Sequence, residues 1–98
     1  MYITAQLDAA PSTPVVLNHI YVLGGITANI ANITGDVDVD NSTVTGTILG
    51  QVNFTNSAIN QATITGDATF DSSLNQGTIT GEVTFNGAYN GGISGNNQ

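Results

Sequence analysis

Three carboxylates alternate along the run GDVDVDNS, from Gly35 to Ser42, and their spacing could serve a metal ion. Asp36, Asp38 and Asp40 follow the opening of a calcium-binding loop, in which side-chain oxygens at alternate positions surround one ion. These three aspartates are therefore the calcium candidate of this sequence.

The residues between and after these acids weaken that hypothesis. Asn41 stands where the loop pattern expects a glycine, and no glutamate occupies the twelfth position. Val37 and Val39 alternate with the acids, and a period of two predicts a strand with one solvated face. We therefore rate calcium as the weaker interpretation and favour an exposed acidic strand, and we expect no cofactor.

The remaining polar residues give little indication of a catalytic site. A glycosidase needs two carboxylates at a defined separation, and Asp67 and Glu82 are the pair that repeats in one column. His19 is the sole histidine and lies in an apolar run without a neighbouring acid, which favours a packing or interface residue. Because the repeat already explains the positions of these residues, we expect a protein that is not an enzyme.

A second pattern could bind a surface rather than a small molecule. Thr63-x-Thr65 and Thr78-x-Thr80 repeat fifteen residues apart and resemble the regular threonine array of insect-type ice-binding proteins. Thr47-Ile48-Leu49 breaks the row one unit earlier. The plainer interpretation is that β-branched threonine suits an exposed strand and pairs with threonine on the next strand.

Charge composition excludes two classes of partner. The chain has no Lys or Arg and seven acids, with a net charge of -7. Without cations it cannot neutralise nucleic-acid phosphates or adhere to an anionic membrane surface. No apolar run is long enough to span a bilayer, and the start, MYITAQLDAA, lacks the features of a signal peptide. Either a signal was removed or the protein is not exported by that route.

The elements that must position these residues come from a repeat. Corners at Gly35, Gly50, Gly66 and Gly81 are 15, 16 and 15 residues apart. Aligned on these corners, apolar residues predict four buried columns: Ile33, Ile48, Ile64, Ile79; Val37, Val52, Ala68, Val83; Val39, Phe54, Phe70, Phe85; and Val44, Ile59, Leu74, Tyr89.

Such a period, with short strands and tight corners, predicts an all-β fold, a β-solenoid or β-helix with turns of about 15 residues. Recurring asparagines, Asn60, Asn75 and Asn90, predict a stacked row at one corner. Whether each chain winds its own solenoid or three chains share one triangular prism stays open, because both bury the same columns.

Residues 1–25 do not fit the repeat, so we divide the chain into an N-terminal cap or attachment segment, 1–25, and solenoid repeats, 26–98. Alternation near the start predicts a short strand, and the apolar run VVLNHIYVL could be a cap, a docked hairpin or an anchor. The predicted attachment residues are Tyr2, Ile3, Val15, Val16, Leu17, Ile20 and Tyr21.

The units DATFDSSLNQGTITG and EVTFNGAYNGGISGN resemble the loosely pentapeptide-like, β-helical repeats of bacteriophage fibre and tailspike proteins, over residues 30–95. Column spacings of 4, 2, 5 and 4 depart from a strict pentapeptide repeat. The resemblance implies a virion structural protein, a homotrimer or stacked fibre, with residues 1–25 bound to another virion protein. A small fibre, decoration or connector subunit fits the length.

Two alternatives come from other classes. One is an extracellular filament or matrix subunit of a cell, which a signal sequence in the full gene would favour. The other is a module that binds ice or a surface glycan.

Overall fold

The computed structural model describes the backbone of residues 1–97 and the side chains of these residues other than 89, 90 and 93–97. This part of the chain consists of strands joined by tight corners, which confirms the all-β prediction. It contains no helix with the length and apolarity needed to cross a membrane. The predictions for the side chains of Tyr89 and Asn90 lie outside the described side chains.

Fourteen strands follow one another along the chain. They are β1 (Tyr2–Ile3), β2 (Val15–Leu23), β3 (Thr27–Asn29), β4 (Ile33–Asp40), β5 (Thr43–Thr45), β6 (Thr47–Ile48) and β7 (Val52–Thr55). The remainder are β8 (Ile59–Asn60), β9 (Thr63–Ile64), β10 (Ala68–Asp71), β11 (Leu74–Asn75), β12 (Thr78–Asn86), β13 (Tyr89–Asn90) and β14 (Ile93–Asn97).

All strand pairs are parallel and join successive windings of the chain, which makes the molecule a β-solenoid of about five turns of roughly 16 residues. One sheet runs β1-β2-β4-β7-β10-β12-β9-β6, with β14 beside β12, and the other runs β13-β11-β8-β5-β3. The long strands β4 and β12 bend at a glycine and belong to two sides at once. The solenoid therefore has three sides, each lined inward by one set of side chains.

The interior is built from stacked side chains of like shape. Val22, Val37 and Val39 are fully buried on one side, and the isoleucines at 33, 48, 64 and 79 fill another. Phe54 stacks on Phe70 with ring centroids 4.4 Å apart, and Phe70 stacks on the half-buried Phe85 at 5.1 Å. Because each winding repeats the one before it, a single chain closes this core by itself.

The fourth predicted column has the wrong register. Thr43 pairs with Ile59, whereas Val44 pairs with Asn60, so Ile59 and Leu74 face outward and are half-buried. The cause is the extra residue of the 16-residue turn. It lies at the corner formed by Asn56 and Ser57, whose φ angles are 55° and 62°, and it shifts the alignment before Ile59 is reached.

One corner accepts glycine alone in the turns that follow β2. A Cβ added to Gly66 would lie 2.3 Å from the carbonyl oxygen of Gly50, and one added to Gly81 would lie 2.3 Å from that of Gly66. Such distances are far inside van der Waals contact. The stacked glycines at 35, 50, 66 and 81 let the backbones of successive turns approach closely.

The N-terminal residues belong to the stack. β2 pairs in parallel with β4 from Val15 to Leu23, with a bulge between Val16 and His19, and β1 pairs with the end of β2. Leu7 forms an isolated bridge with Ala28. The solenoid therefore begins before residue 26. This turn did not align with the 15-residue repeat because residues of β2 pair with residues 17 or 18 positions further along the chain.

Candidate functional surfaces

One side of the solenoid carries nearly all of the charge. The second half of β4, together with β7, β10 and the second half of β12, points alternate side chains outward on this side. Six of the seven carboxylates lie there, and only Asp8 does not. We call this side the acidic face: Asp36, Asp38, Asp40, Asp67, Asp71 and Glu82.

The carboxylates of the calcium candidate have separate partners. Asp36 Oδ1 accepts a hydrogen bond from the backbone N–H of Gln51 at 3.1 Å, and Asp40 Oδ1 accepts one from Asn56 Nδ2 at 2.8 Å. Alternate residues of one strand stand about 7 Å apart, so these carboxylates do not converge. Among the described residues no group of three His, Cys, Asp or Glu is placed to hold a metal ion.

The pair considered for glycoside chemistry has a structural explanation. Asp67 Oδ1 accepts the backbone N–H of Glu82 at 3.0 Å, as Asp36 does for Gln51 two turns earlier. Both carboxylates line a shallow polar groove that also includes Asn53 and Thr69. The recurrence of the same contact at two corners identifies Asp67 as the residue that satisfies the next turn's backbone.

His19 finds its acid in space rather than in sequence. Its Nε2 lies 2.8 Å from Asp38 Oδ2, and its ring stacks on Tyr21 with centroids 4.5 Å apart. Tyr21 in turn contacts Tyr2, at a centroid distance of 4.8 Å. The sequence did not predict this cluster, because the register of β2 on β4 depends on the bulge. The bulge occurs outside the repeats, so the repeat pattern gives no sign of it.

A second side of the solenoid carries no charged residue among its described outward positions. Thr63 pairs with Thr78 on adjacent strands, and Thr65 and Thr80 follow two residues later on the same side. We call this side the threonine face. It consists of two outward columns, Asn32, Thr47, Thr63 and Thr78 beside Val16, Thr34, Leu49, Thr65 and Thr80.

Two large apolar side chains interrupt the threonine face. Val16 is 79% exposed and Leu49 is 57% exposed, which is unusual in a surface otherwise polar. The hydroxyls of Thr65 and Thr80 lie 3.5 Å from the carbonyl oxygens of Ile48 and Ile64 in the preceding turn. These long hydrogen bonds turn the hydroxyls toward the backbone, so the face is less hydrophilic than its composition indicates.

The asparagine row predicted at a corner lies inside the solenoid. Asn60 and Asn75 are fully buried, and Asn60 Nδ2 donates to Asn75 Oδ1 at 2.9 Å. Asn60 Oδ1 also accepts the backbone N–H of Ala62, and Asn75 Oδ1 accepts that of Gly77. Each side chain thereby satisfies the backbone of a tight bend and binds its counterpart one turn away.

The predicted attachment residues divide between the core and the surface. Ile3 and Ile20 are 6% and 0% exposed, so their side chains stabilise the solenoid and are not accessible to a partner. Tyr2 and Val16 are exposed, at 69% and 79%, while Val15, Leu17 and Tyr21 are half-buried.

The N-terminal end of the stack presents an unpaired strand edge. Tyr21 N donates to the carbonyl oxygen of Met1 at 2.8 Å, and the Met1 ammonium group donates to the carbonyl oxygen of His19 at 3.0 Å. On its other side β1 pairs with no strand among the described residues. A shallow, mainly apolar groove lined by residues 1–7 lies along this edge.

Comparison with known proteins adds no relative to this geometry: no protein-family model, no curated protein and no solved structure matches the chain.

Proposed function

We propose that this protein is a non-enzymatic structural subunit whose copies self-associate, as a fibre, decoration or connector subunit of a virion. The observation that carries the proposal is the free edge of β1. In a parallel pair, alternate residues direct their backbone groups toward the partner strand. Since Met1 bonds toward β2, the N–H and C=O of Tyr2 point away from the stack.

The rest of the solenoid supports head-to-tail stacking at this edge. Each turn inside the solenoid pairs with the next turn through parallel strands. An open edge can pair with a strand of another chain in the same way. A head-to-tail contact of this kind is heterologous, and repeated contacts build a filament. The core that closes within one chain supports the stacking of complete solenoids over an intertwined prism. In a homotrimer, three such solenoids would lie side by side.

Attachment to a second virion protein, and localisation in the virion, rest on the resemblance of the repeats to phage fibres. The exposed rings and side chains near the N-terminus support residues 1–25 as the attachment segment. Tyr2, with 69% of its surface exposed, is the residue that a carrier protein would contact.

The test is to remove one outward-pointing N–H. In Tyr2→Pro the edge loses the donor of residue 2, whereas Tyr2→Ala loses only the ring and serves as the matched control. Electron microscopy of concentrated protein should show filaments for the wild type and for Tyr2→Ala, and far shorter particles for Tyr2→Pro. Filaments of equal length in both variants, or none in any sample, would exclude stacking through β1.

The threonine face favours a second candidate, a module that binds ice or a surface glycan. Thr63 and Thr65 lie in register with Thr78 and Thr80 on a side without charge, as a flat lattice-binding surface requires. Thermal hysteresis of the purified protein, lost in a Thr65→Lys variant that remains folded, would establish this candidate in place of the first. An extracellular filament would use the same stacking as the virion fibre, outside a virus particle.

A further inference from the structure

We propose that two copies of this chain pack side by side, in parallel, through their threonine faces. The inference rests on the proposed self-association and adds the lateral surface that it uses. It starts from the unequal distribution of charge around the solenoid: six carboxylates lie on the acidic face, none lies at the described positions of the threonine face, and Asp8 lies near the N-terminal edge of the third side.

The acidic face cannot serve as the contact between copies. It carries six carboxylates, and the chain has no Lys or Arg with which another copy could neutralise them. His19, the sole histidine, contacts Asp38 within its own chain, with Nε2 at 2.8 Å from Oδ2. Two acidic faces brought together would repel each other along their whole length, so this side is directed to solvent in any lateral assembly.

The threonine face has the opposite properties. Its outward columns contain no ionisable side chain, and they carry the exposed Val16 and Leu49. The third side, with Ile59 and Leu74 outward, carries one acid, Asp8, near its N-terminal edge. Its apolar residues are already half-buried against neighbouring strands. Burial by a partner therefore removes more apolar surface from water at the threonine face.

The parallel arrangement follows from the positions of the two apolar residues. Val16 and Leu49 lie two turns apart in one column, with Thr34 between them. A twofold axis that runs along the solenoid and passes over this column places each residue of the column opposite its own counterpart, so Val16 meets Val16 and Leu49 meets Leu49. An antiparallel pair would instead set Val16 against Thr80. The parallel pair also leaves the ends of both solenoids pointing the same way, as head-to-tail stacking needs.

The size of the face makes this contact weak for an isolated pair. Five turns at about 4.8 Å and two columns about 7 Å apart give an area on the order of 200 Å² per copy. A stable interface buries about 800 Å² per partner. Lateral pairing therefore gains strength from repetition, because stacked copies present many threonine faces at a high effective concentration.

The absence of cysteine from the chain permits a direct test. Leu49→Cys and Val16→Cys place one thiol on the threonine face. Asn53→Cys on the acidic face and Gln61→Cys on the third side are matched controls at exposed positions. Each full-length variant, checked for an unchanged unfolding transition, is treated with oxidised glutathione, and the disulfide-linked dimer is quantified over time.

We expect both threonine-face variants to form dimers about 10-fold faster than either control, because the contact raises the local thiol concentration. Equal rates at the four positions would overturn the assignment of the face. Rapid linking at Leu49 without linking at Val16 would overturn the parallel arrangement. A wild-type protein that is monomeric at every concentration would instead refute the proposed self-association, so the two failures are distinguishable.

Discussion

The acidic face and the threonine face are neighbouring sides of one solenoid, but they differ in charge. The first carries six carboxylates, and the second carries none at its described positions. β4 and β12 contribute to both, and a stacked glycine, at 35, 50, 66 or 81, separates the two sides in each turn after β2. The inward residues of both sides are similar β-branched or aromatic side chains. The comparison shows that packing in the core constrains only every second residue of a strand. The outward residues can therefore be charged on one side of the solenoid and uncharged on another.

The glycine corner that joins the two faces should be the most sensitive position. Gly66→Ala brings a Cβ to 2.3 Å from the Gly50 carbonyl oxygen, a contact that only backbone displacement can relieve. We expect the free energy of unfolding to fall by about 3 kcal/mol or more, measured by urea denaturation.

Gly87→Ala is the matched control for that variant. Gly87 has a φ of 56°, but an added Cβ meets nothing within 4 Å. The expected loss is about 1–2 kcal/mol, from the left-handed conformation alone. Equal losses at Gly66 and Gly87 would show that close stacking of the two faces is not what selects glycine.

The buried asparagines should be the next most sensitive. Asn60→Ala leaves the amide N–H of Ala62 and the side chain of Asn75 each short of one buried partner. We expect a loss of about 2–3 kcal/mol in urea unfolding. Gln61→Ala, which removes the exposed hydrogen bond of Gln61 to Gln76, should cost at most about 0.5 kcal/mol. Comparable losses would contradict the inward placement of Asn60.

Neutralising part of the acidic face should change salt dependence more than stability. Between about 0.01 M and 1 M salt, the free energy of unfolding of the wild type should gain roughly 0.5–1 kcal/mol. Salt screens the repulsion between its like charges, because the Debye length falls from about 30 Å to about 3 Å over this range. Asp71→Asn with Glu82→Gln removes two of seven negative charges, and the gain should be smaller. Thr65→Val on the threonine face should leave the gain unchanged. A salt response that the charge variants do not alter would argue against repulsion within the acidic face.

The pair of His19 and Asp38 should have the smallest effect. Both side chains are more than one-third exposed, at 37% and 39%, so solvent screens their attraction. His19→Ala should cost below about 1 kcal/mol, and less in high salt, since exposed ion pairs contribute little. A substantially larger loss would indicate that the stack of His19, Tyr21 and Tyr2 holds the N-terminal turn in place.

The fold could be predicted from the sequence because glycine corners and alternating apolar residues recur in every regular turn. Val37, Phe54 and Ile64 lie where that pattern placed them. The fourth column could not be predicted from the spacing, since the extra residue near Asn56 could sit on either side of Ile59. Only the parallel register shows that Asn60 occupies the interior.

The candidate surfaces were less accessible to sequence reasoning. Asp36, Asp38 and Asp40 were correctly placed on one outward side, but the gathering of Asp67, Asp71 and Glu82 beside them needs the three-sided geometry. The pairing of His19 with Asp38 depends on a bulge that belongs to one turn only. Irregular turns carry no repeat signal, so the N-terminal surface was the least predictable part.

The most direct test of the account is the molar mass of the wild-type protein in solution, measured by light scattering over a range of concentrations in low and high salt. Self-association through uncharged surfaces predicts a mass that rises above 10.0 kDa with concentration and rises further when salt screens the acidic faces. A mass of 10.0 kDa under every condition would contradict it.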